Sequence, residues 1–251
     1  MKIIEFSFDS TCRFKEKRYI FSFKNKDFLL ISGDDEFADS ILTIIEKETD
    51  EEIFEIVNIF LCSIAWATHN GFQLLASSSK PINNSINLED LNSFLRIRRY
   101  YKNIINLGPI TSIKDEKQEK ALSLFNEAEY SNNIFYSFFC LWRILEIKYS
   151  EGKVSEWIDK IAKSNPEKIN DSISLGAKNM NKSIGRYLYV YFRCAIAHCN
   201  SEPLKFNYRL NDIIEMKRMI NDFKELVKFF IYSELKLELY TNKINNLKII
   251  E

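Results

Sequence analysis

The sequence predicts an α+β fold, in which a mixed α/β N-terminal domain of residues 1–112 precedes an all-α, up-and-down helical bundle of residues 113–251. Three observations support this prediction. Apolar and polar residues alternate in much of the first third, as they do in half-buried strands. From residue 113 onward, apolar residues recur at three-and-four spacing, which is typical of amphipathic helices. Only 6 glycines and 4 prolines interrupt the 251 residues, which favours long helices.

The elements of the first domain follow from these patterns. Alternating apolar residues predict strands over 2–9 and 17–23, and a turn at "KNKD" leads into a strand over 28–32. Residues 37–48 fit either a short helix or a further strand. Helical spacing over 51–70 predicts a helix that ends at "HNG", with His69 as a helix-end residue. A strand is expected at "FQLLASS", followed by a loop at "SSSKPINNSIN".

The second domain is predicted to contain five helices joined by short loops. Their expected ranges are 116–130, 134–149, 154–163, 183–199 and 211–239. The last of these carries a continuous apolar stripe, as a helix packed against a bundle should. No internal repeat accompanies the five helices.

Composition excludes several classes of function. Lys+Arg 35 balances Asp+Glu 35, so nucleic acid can be bound only through a local basic patch. The N-terminus lacks a signal peptide, and polar residues interrupt the most apolar stretch, so no membrane association is expected. Five cysteines without C-x-x-C spacing indicate free thiols in the cytoplasm. Two histidines and dispersed cysteines predict neither a metal site nor a cofactor.

The segment "YFRCAIAHCN" places Arg193 and His198 in an otherwise apolar helix. Together they could form a site for phosphate chemistry, since histidine exchanges protons near neutral pH and arginine binds oxyanions. The alternative is structural. A histidine near a helix end is favoured by the helix dipole, and an arginine flanked by tyrosines packs against their rings. Cys194 or Cys199 beside His198 is a weaker candidate nucleophile.

Two segments of the helical region resemble the HEPN superfamily (higher eukaryotes and prokaryotes nucleotide-binding). "FYSFFCLWRILE" is an aromatic helix ending on Glu146, and "RCAIAH" matches the R-x₄₋₆-H motif of that family. Together with a β-rich N-terminal region, the pattern is similar to the MauJ-like and ApeA-like HEPN proteins of bacteria. The resemblance covers about residues 115–240. Cys194 and Cys199 depart from the family pattern, which often has a polar residue and a glycine at these positions.

The resemblance implies metal-independent RNA cleavage, with Arg193 and His198 as the catalytic residues. On an ideal helix these two positions point about 140° apart, so the family solution is a homodimer whose motif helices meet in one composite site. Supporting roles are expected for four further residues, which are Asn200, Glu146, Arg143 and Tyr189. Tyr189 is expected to stack on a base.

A second basic patch, "RIRRYYK", contains Arg96, Arg98, Arg99 and Lys102 and is expected to bind RNA, although such a run is also typical of a solvated face. The expected partners are RNA, a second copy of the chain, and a regulatory protein or nucleotide ligand. The family resemblance adds a role in toxin or antiviral defence systems. The alternatives are a non-catalytic HEPN module that binds a nucleotide, RNA or protein, and a purely structural interaction protein.

Overall fold

The structure, a computed structural model, describes residues 1–33, 38–81, 103–105, 107, 113–197, 210–237 and 245–250. The chain divides into two units, one of Met1–Ser112 with Glu238–Glu251 and one of Ile113–Leu237. The first contains an antiparallel sheet, and the described residues of the second form helices and their connections. The α+β class predicted from the sequence is therefore confirmed.

A six-stranded sheet forms the first unit, with strand order β6-β1-β5-β4-β3-β8. All of its neighbouring strands are antiparallel. The strands are β1 (Lys2–Ser10), β3 (Arg18–Phe23), β4 (Lys26–Ile31), β5 (Asp39–Ile45), β6 (Phe72–Pro81) and β8 (Asn245–Ile250). Two short strands, β2 (Cys12–Phe14) and β7 (Asn103–Ile105), form a separate parallel pair.

The predicted strands of the first domain are present, with two refinements. Asp39–Ile45 is a strand, which decides between the two alternatives for residues 37–48. Strand β6 continues to Pro81, so the first residues of the predicted "SSSKPINNSIN" loop pair with β1 instead. The turn between β3 and β4 has Lys24 and Asn25 at positive φ (47° and 60°), as a two-residue hairpin turn requires.

Helix α1 (Asp50–Thr68) packs on one face of this sheet. Thr49 and Glu52 cap its N-terminus reciprocally, and His69 ends it in the left-handed conformation, which confirms His69 as a helix-end residue. Phe60 of the helix stacks on Phe21 of β3 with ring centroids 4.4 Å apart. The core between helix and sheet is thus largely aromatic.

Strand β8 pairs with β3 at the edge of the sheet. The bundle predicted over 113–251 included these residues, but they belong to the first unit of the structure. Periodicity could not reveal this, because a short strand in a polar context pairs according to the edge that tertiary structure offers to it.

Six α-helices longer than one turn are described in the second unit, together with a 3₁₀ turn (Pro166–Lys168) and a π-helical segment (Tyr189–Cys194). The α-helices are α2 (Glu116–Tyr130), α3 (Ile134–Glu146), α4 (Glu151–Ser164), α5 (Asp171–Asn179), α6 (Ile184–Leu188) and α8 (Leu210–Glu234), and α7 (Ala195–Ala197) is a single turn after the π-helical segment. Helix α5 was not predicted. The expected continuous helix 183–199 is instead interrupted by the π-helical segment.

The core of the second unit is formed where α3, α8 and the π-helical segment meet. Phe138 and Trp142 of α3 lie 4.6 Å and 6.0 Å from Phe223 of α8, measured between ring centroids. Phe138 also contacts Phe192, at 5.8 Å. All four side chains are fully buried. This packing determines which face of the π-helical segment lies against α3.

Among the helices of the described residues, none has both the length and the apolar character needed to cross a membrane.

Candidate functional site

Arg193 lies in the π-helical segment between α6 and α7. A π turn closes i→i+5 hydrogen bonds instead of i→i+4 bonds, so it rotates the following residues relative to an ideal α-helix. The local sequence "YVYFRC" contains three aromatic residues and a valine, which are weak α-helix formers. This composition lowers the cost of leaving α-helical geometry. The segment ends at Cys194, and Ala195–Ala197 return to α-helical geometry.

The Arg193 guanidinium faces the carboxylate at the end of α3. Its Nη2 atom is 3.6 Å from Oε1 of Glu146, and the two side chains are 15% and 27% exposed. The same Oε1 atom accepts a hydrogen bond from the indole Nε1 of Trp142, at 2.9 Å. Since Trp142 is fully buried, it fixes the carboxylate, and the carboxylate in turn orients the guanidinium.

Tyr189 forms the other wall of the site. Its ring lies 5.9 Å from Cζ of Arg193 and 6.0 Å from the centroid of Trp142. Packing of Arg193 against a neighbouring tyrosine, which the structural alternative anticipated, is therefore present. The predicted role of Tyr189 in base stacking stays a prediction, and its ring already contacts these side chains.

A second arginine, Arg186 of α6, also contacts Tyr189. Its Cζ lies 5.4 Å from the ring centroid. Arg186 was not predicted as a site residue, because it lies outside the R-x₄-H motif. The available signal was spacing, since Arg186 stands three residues before Tyr189, a separation at which helical side chains meet.

Arg143 is exposed on the last turn of α3, three residues before Glu146. Within the described part of the chain it makes no ion pair with a carboxylate. The structure thus groups three of the predicted residues, Arg193, Glu146 and Tyr189, and leaves Arg143 beside them on the same helix as Glu146.

Several predicted site residues fall outside the described residues. His198 and Asn200 follow directly after α7, and the basic patch of Arg96, Arg98, Arg99 and Lys102 precedes β7. Their roles stay predictions from the sequence.

The cysteines of the described residues carry free thiols. Cys194 is half-buried in the π-helical segment. Burial raises the pKa of the Cys140 thiol on α3 to about 11, so this thiol is protonated at neutral pH and is a poor nucleophile. The described residues contain no group of three or more His, Cys, Asp or Glu side chains arranged to hold a metal ion.

The first unit carries a groove of about 500 Å³ on the sheet face opposite α1. Aliphatic side chains of four strands line most of it, among them Ile3, Ile20, Leu29 and Leu42. Its polar members are near the β3–β4 turn, where Lys26 pairs with Glu48. The groove can therefore accommodate an apolar group, and its lining contains neither arginine nor histidine.

Comparison with known families places a match on the helical unit. The profile of the family described as "Methylamine utilization protein MauJ" matches residues 121–232, less than half of the chain. This span extends from α2 into α8 and includes Glu146 and Arg193. The match supports a MauJ-like assignment of the helical unit, in agreement with the MauJ-like part of the resemblance. No curated protein and no solved structure matches the chain.

Proposed function

We propose, on the premise of a MauJ-like helical unit, that the protein is a HEPN-type endoribonuclease that cleaves RNA without a metal ion. The 2′-oxygen attacks the adjacent phosphorus while the bond to the 5′-oxygen breaks. His198 accepts the proton of the 2′-hydroxyl, and a protonated imidazole returns one to the 5′-oxygen. The products carry a 2′,3′-cyclic phosphate and a 5′-hydroxyl.

The proposal rests on the contacts that hold the Arg193 side chain in place. A guanidinium stabilises the extra negative charge of the phosphorane best when its position is fixed before the reaction. Arg193 is held by Glu146 at 3.6 Å and by the Tyr189 ring. It remains 15% exposed, so part of its surface is accessible to a ligand.

The active form is proposed to be a homodimer with a composite site. In an isologous dimer, the two copies of the motif segment can face each other, so that two arginines and two histidines surround one phosphate. The protonated imidazole that serves the 5′-oxygen is then His198 of the partner subunit. Light scattering should give a mass of about twice 29.7 kDa for the active species.

The proposed biological role is RNA cleavage in a toxin or antiviral defence system, which follows the HEPN resemblance. In such a system the first unit receives a regulatory signal, from a protein or a nucleotide ligand, or restrains the nuclease. The basic patch around Arg98 adds contacts to the RNA backbone.

The direct test is incubation of the purified full chain with mixed single-stranded RNA in EDTA. Arg193→Ala and His198→Ala are each expected to reduce cleavage by at least a factor of 100, because each removes a group that acts in the transition state. Analysis of the product ends should find cyclic phosphates.

Arg218→Ala provides a matched control, since Arg218 is an exposed arginine of α8 and should leave cleavage unchanged. Undiminished cleavage by the Arg193 and His198 variants would contradict the proposal. So would the absence of cleavage by the wild-type dimer in the presence of candidate activating ligands.

A second candidate function is a non-catalytic HEPN module that binds a nucleotide, RNA or protein. The Arg193–Glu146 ion pair favours it, because the carboxylate offsets the guanidinium charge that would stabilise the extra negative charge of the phosphorane. This function predicts that RNA or a nucleotide raises the melting temperature and that no product ends form.

A further inference from the structure

Arg186 occupies a position that neither the sequence motif nor the family match assigns. It is exposed on α6, and its Cζ lies 5.4 Å from the centroid of the Tyr189 ring. Arg193 lies 5.9 Å from the same centroid. Two guanidinium groups therefore share one aromatic side chain, a geometry that favours the approach of an anion to the cluster.

The two arginines differ in charge compensation. Arg193 faces the carboxylate of Glu146. For Arg186, the described part of the chain supplies no carboxylate within ion-pair distance. Of the two, Arg186 is therefore the one whose charge is not offset by a described partner, and it is also the more exposed.

The backbone of Arg186 is held in place by its neighbours. Ser183 accepts a hydrogen bond from the Arg186 backbone N–H at 3.4 Å. The N–H of Gly185 donates to Oδ1 of Asp159 at 2.7 Å, and the carbonyl of Gly185 accepts from Ser155 at 3.2 Å. With its backbone fixed to α4 and its side chain against Tyr189, Arg186 loses little conformational entropy when it binds a ligand.

We propose that Arg186 binds a backbone phosphate of single-stranded RNA next to the phosphate that Arg193 contacts. The inference rests on the proposed function and extends it to a binding residue outside the R-x₄-H motif. The planar guanidinium can donate two parallel N–H groups to one phosphodiester. Because the contact is made to the backbone, it adds affinity without sequence preference.

The test measures binding separately from cleavage. A fluorescently labelled 2′-O-methyl oligoribonucleotide lacks the attacking hydroxyl, so the full chain can bind it without cutting it. Arg186→Gln is expected to weaken binding about tenfold, the loss of one charged contact. The magnitude of the negative slope of log K against log salt should fall by about 0.7, the value for one phosphate on a single strand.

Two further variants make the result specific. Arg186→Lys keeps the charge and loses the planar fork, so it should retain the wild-type salt slope with an intermediate affinity. Arg218→Gln removes another exposed arginine, one turn before Asp222, which accepts hydrogen bonds from Asn170 and Ser172 at the start of α5. This variant should bind as the wild type does. Circular dichroism melts of all variants verify that they remain folded.

Equal affinity of wild type and Arg186→Gln would overturn the inference, as would an equal loss in Arg218→Gln or an absence of wild-type binding. The outcome is separable from the proposed function. Arg186-dependent binding without cleavage of ordinary RNA contradicts the nuclease and leaves the binding residue in place. Cleavage that depends on Arg193, together with unchanged binding by Arg186→Gln, supports the nuclease and contradicts the role of Arg186 in binding.

Discussion

At the scale of single residues, the carboxylate of Glu146 connects the core of the second unit to its surface. One oxygen accepts from the buried indole of Trp142 and faces the guanidinium of Arg193. A buried N–H group without an acceptor is costly, so the position of the carboxylate is determined by Trp142 and not by the arginine. The Arg193 side chain is then oriented by a carboxylate whose position is set by the hydrogen bond from Trp142.

Replacing Glu146 separates these two contacts. Glu146→Ala leaves the Trp142 N–H without its acceptor and is expected to lower the free energy of unfolding by about 1–3 kcal/mol. Glu146→Gln keeps an oxygen for Trp142 and removes the charge, so its loss should be smaller. Urea denaturation followed by circular dichroism measures both, and a larger loss in the glutamine variant would contradict this account.

Glu234, the last residue of α8, is expected to make the free energy of unfolding depend on pH. Burial raises the pKa of its carboxyl, but hydrogen bonds donated by Lys148, Trp157 and Tyr149 outweigh burial, and the net pKa is lowered from 4.5. A carboxyl with a lowered pKa in the folded state stabilises the protein above its unfolded pKa, and this contribution is lost as the pH falls through the folded pKa.

The stability difference between wild type and Glu234→Gln should therefore be constant well above pH 4.5 and shrink as the pH falls below that value. Urea titrations across this range measure it. A stability difference that stays constant below pH 4.5 would contradict a lowered pKa of the Glu234 carboxyl.

At the scale of elements, α4 and α6 approach so closely that only glycine fits at residue 185. A Cβ atom there would lie 2.1 Å from the backbone carbonyl oxygen of Ser155. Gly152, at the start of α4, has no atom within 4 Å of the corresponding position. A methyl group therefore has no space at residue 185 of α6 and open space at residue 152 of α4.

Gly185→Ala is expected to lower the free energy of unfolding by about 1–3 kcal/mol, because a backbone atom must move to admit the methyl group. Gly152→Ala is the matched control and should be neutral or stabilising by up to about 1 kcal/mol, the helix-propensity difference. Equal effects of the two substitutions would contradict the close approach of the helices.

Predictability from the sequence also differs between elements. Helix α2 was predicted with its observed limits because its apolar spacing is regular and Asp115 caps it through a hydrogen bond from Gln118. The segment 183–199 was predicted as one regular helix, and the structure instead contains a π turn. Periodicity cannot report such a turn, because the buried residues Leu188, Phe192 and Ala195, in the turn and on either side of it, are spaced as in an α-helix.

At the scale of the whole molecule, the sheet of the first unit is completed by residues from the other end of the chain. Strand β8 pairs with β3 and covers an edge that would otherwise expose unpaired N–H and C=O groups. The first unit is therefore formed from two separate parts of the sequence.

A variant that ends at Leu237 lacks β8 and is expected to lose protection of the β3 amides. Hydrogen exchange should become faster over residues 18–22, while the amides of α3 in the second unit keep their wild-type rates. Addition of a peptide with the sequence of residues 245–250 should restore part of the protection. Unchanged exchange in β3 would contradict the observed pairing.

The sequence by itself determined the α+β class, the strands β1, β3 and β4, the helices α1 and α2, and Arg193 as a candidate for phosphate chemistry. These features depend on residues close together in the chain, whose spacing and caps act locally. The tertiary structure decided the pairing of β8 with β3, the π turn, the Glu146–Arg193 ion pair and the second arginine on Tyr189. Three of these depend on how elements pack, and packing energy is shared among residues distant in the chain. The fourth, Arg186 on Tyr189, is local, but only the packing of α6 against α4 and the orientation of Tyr189 beside Trp142 make it part of the site.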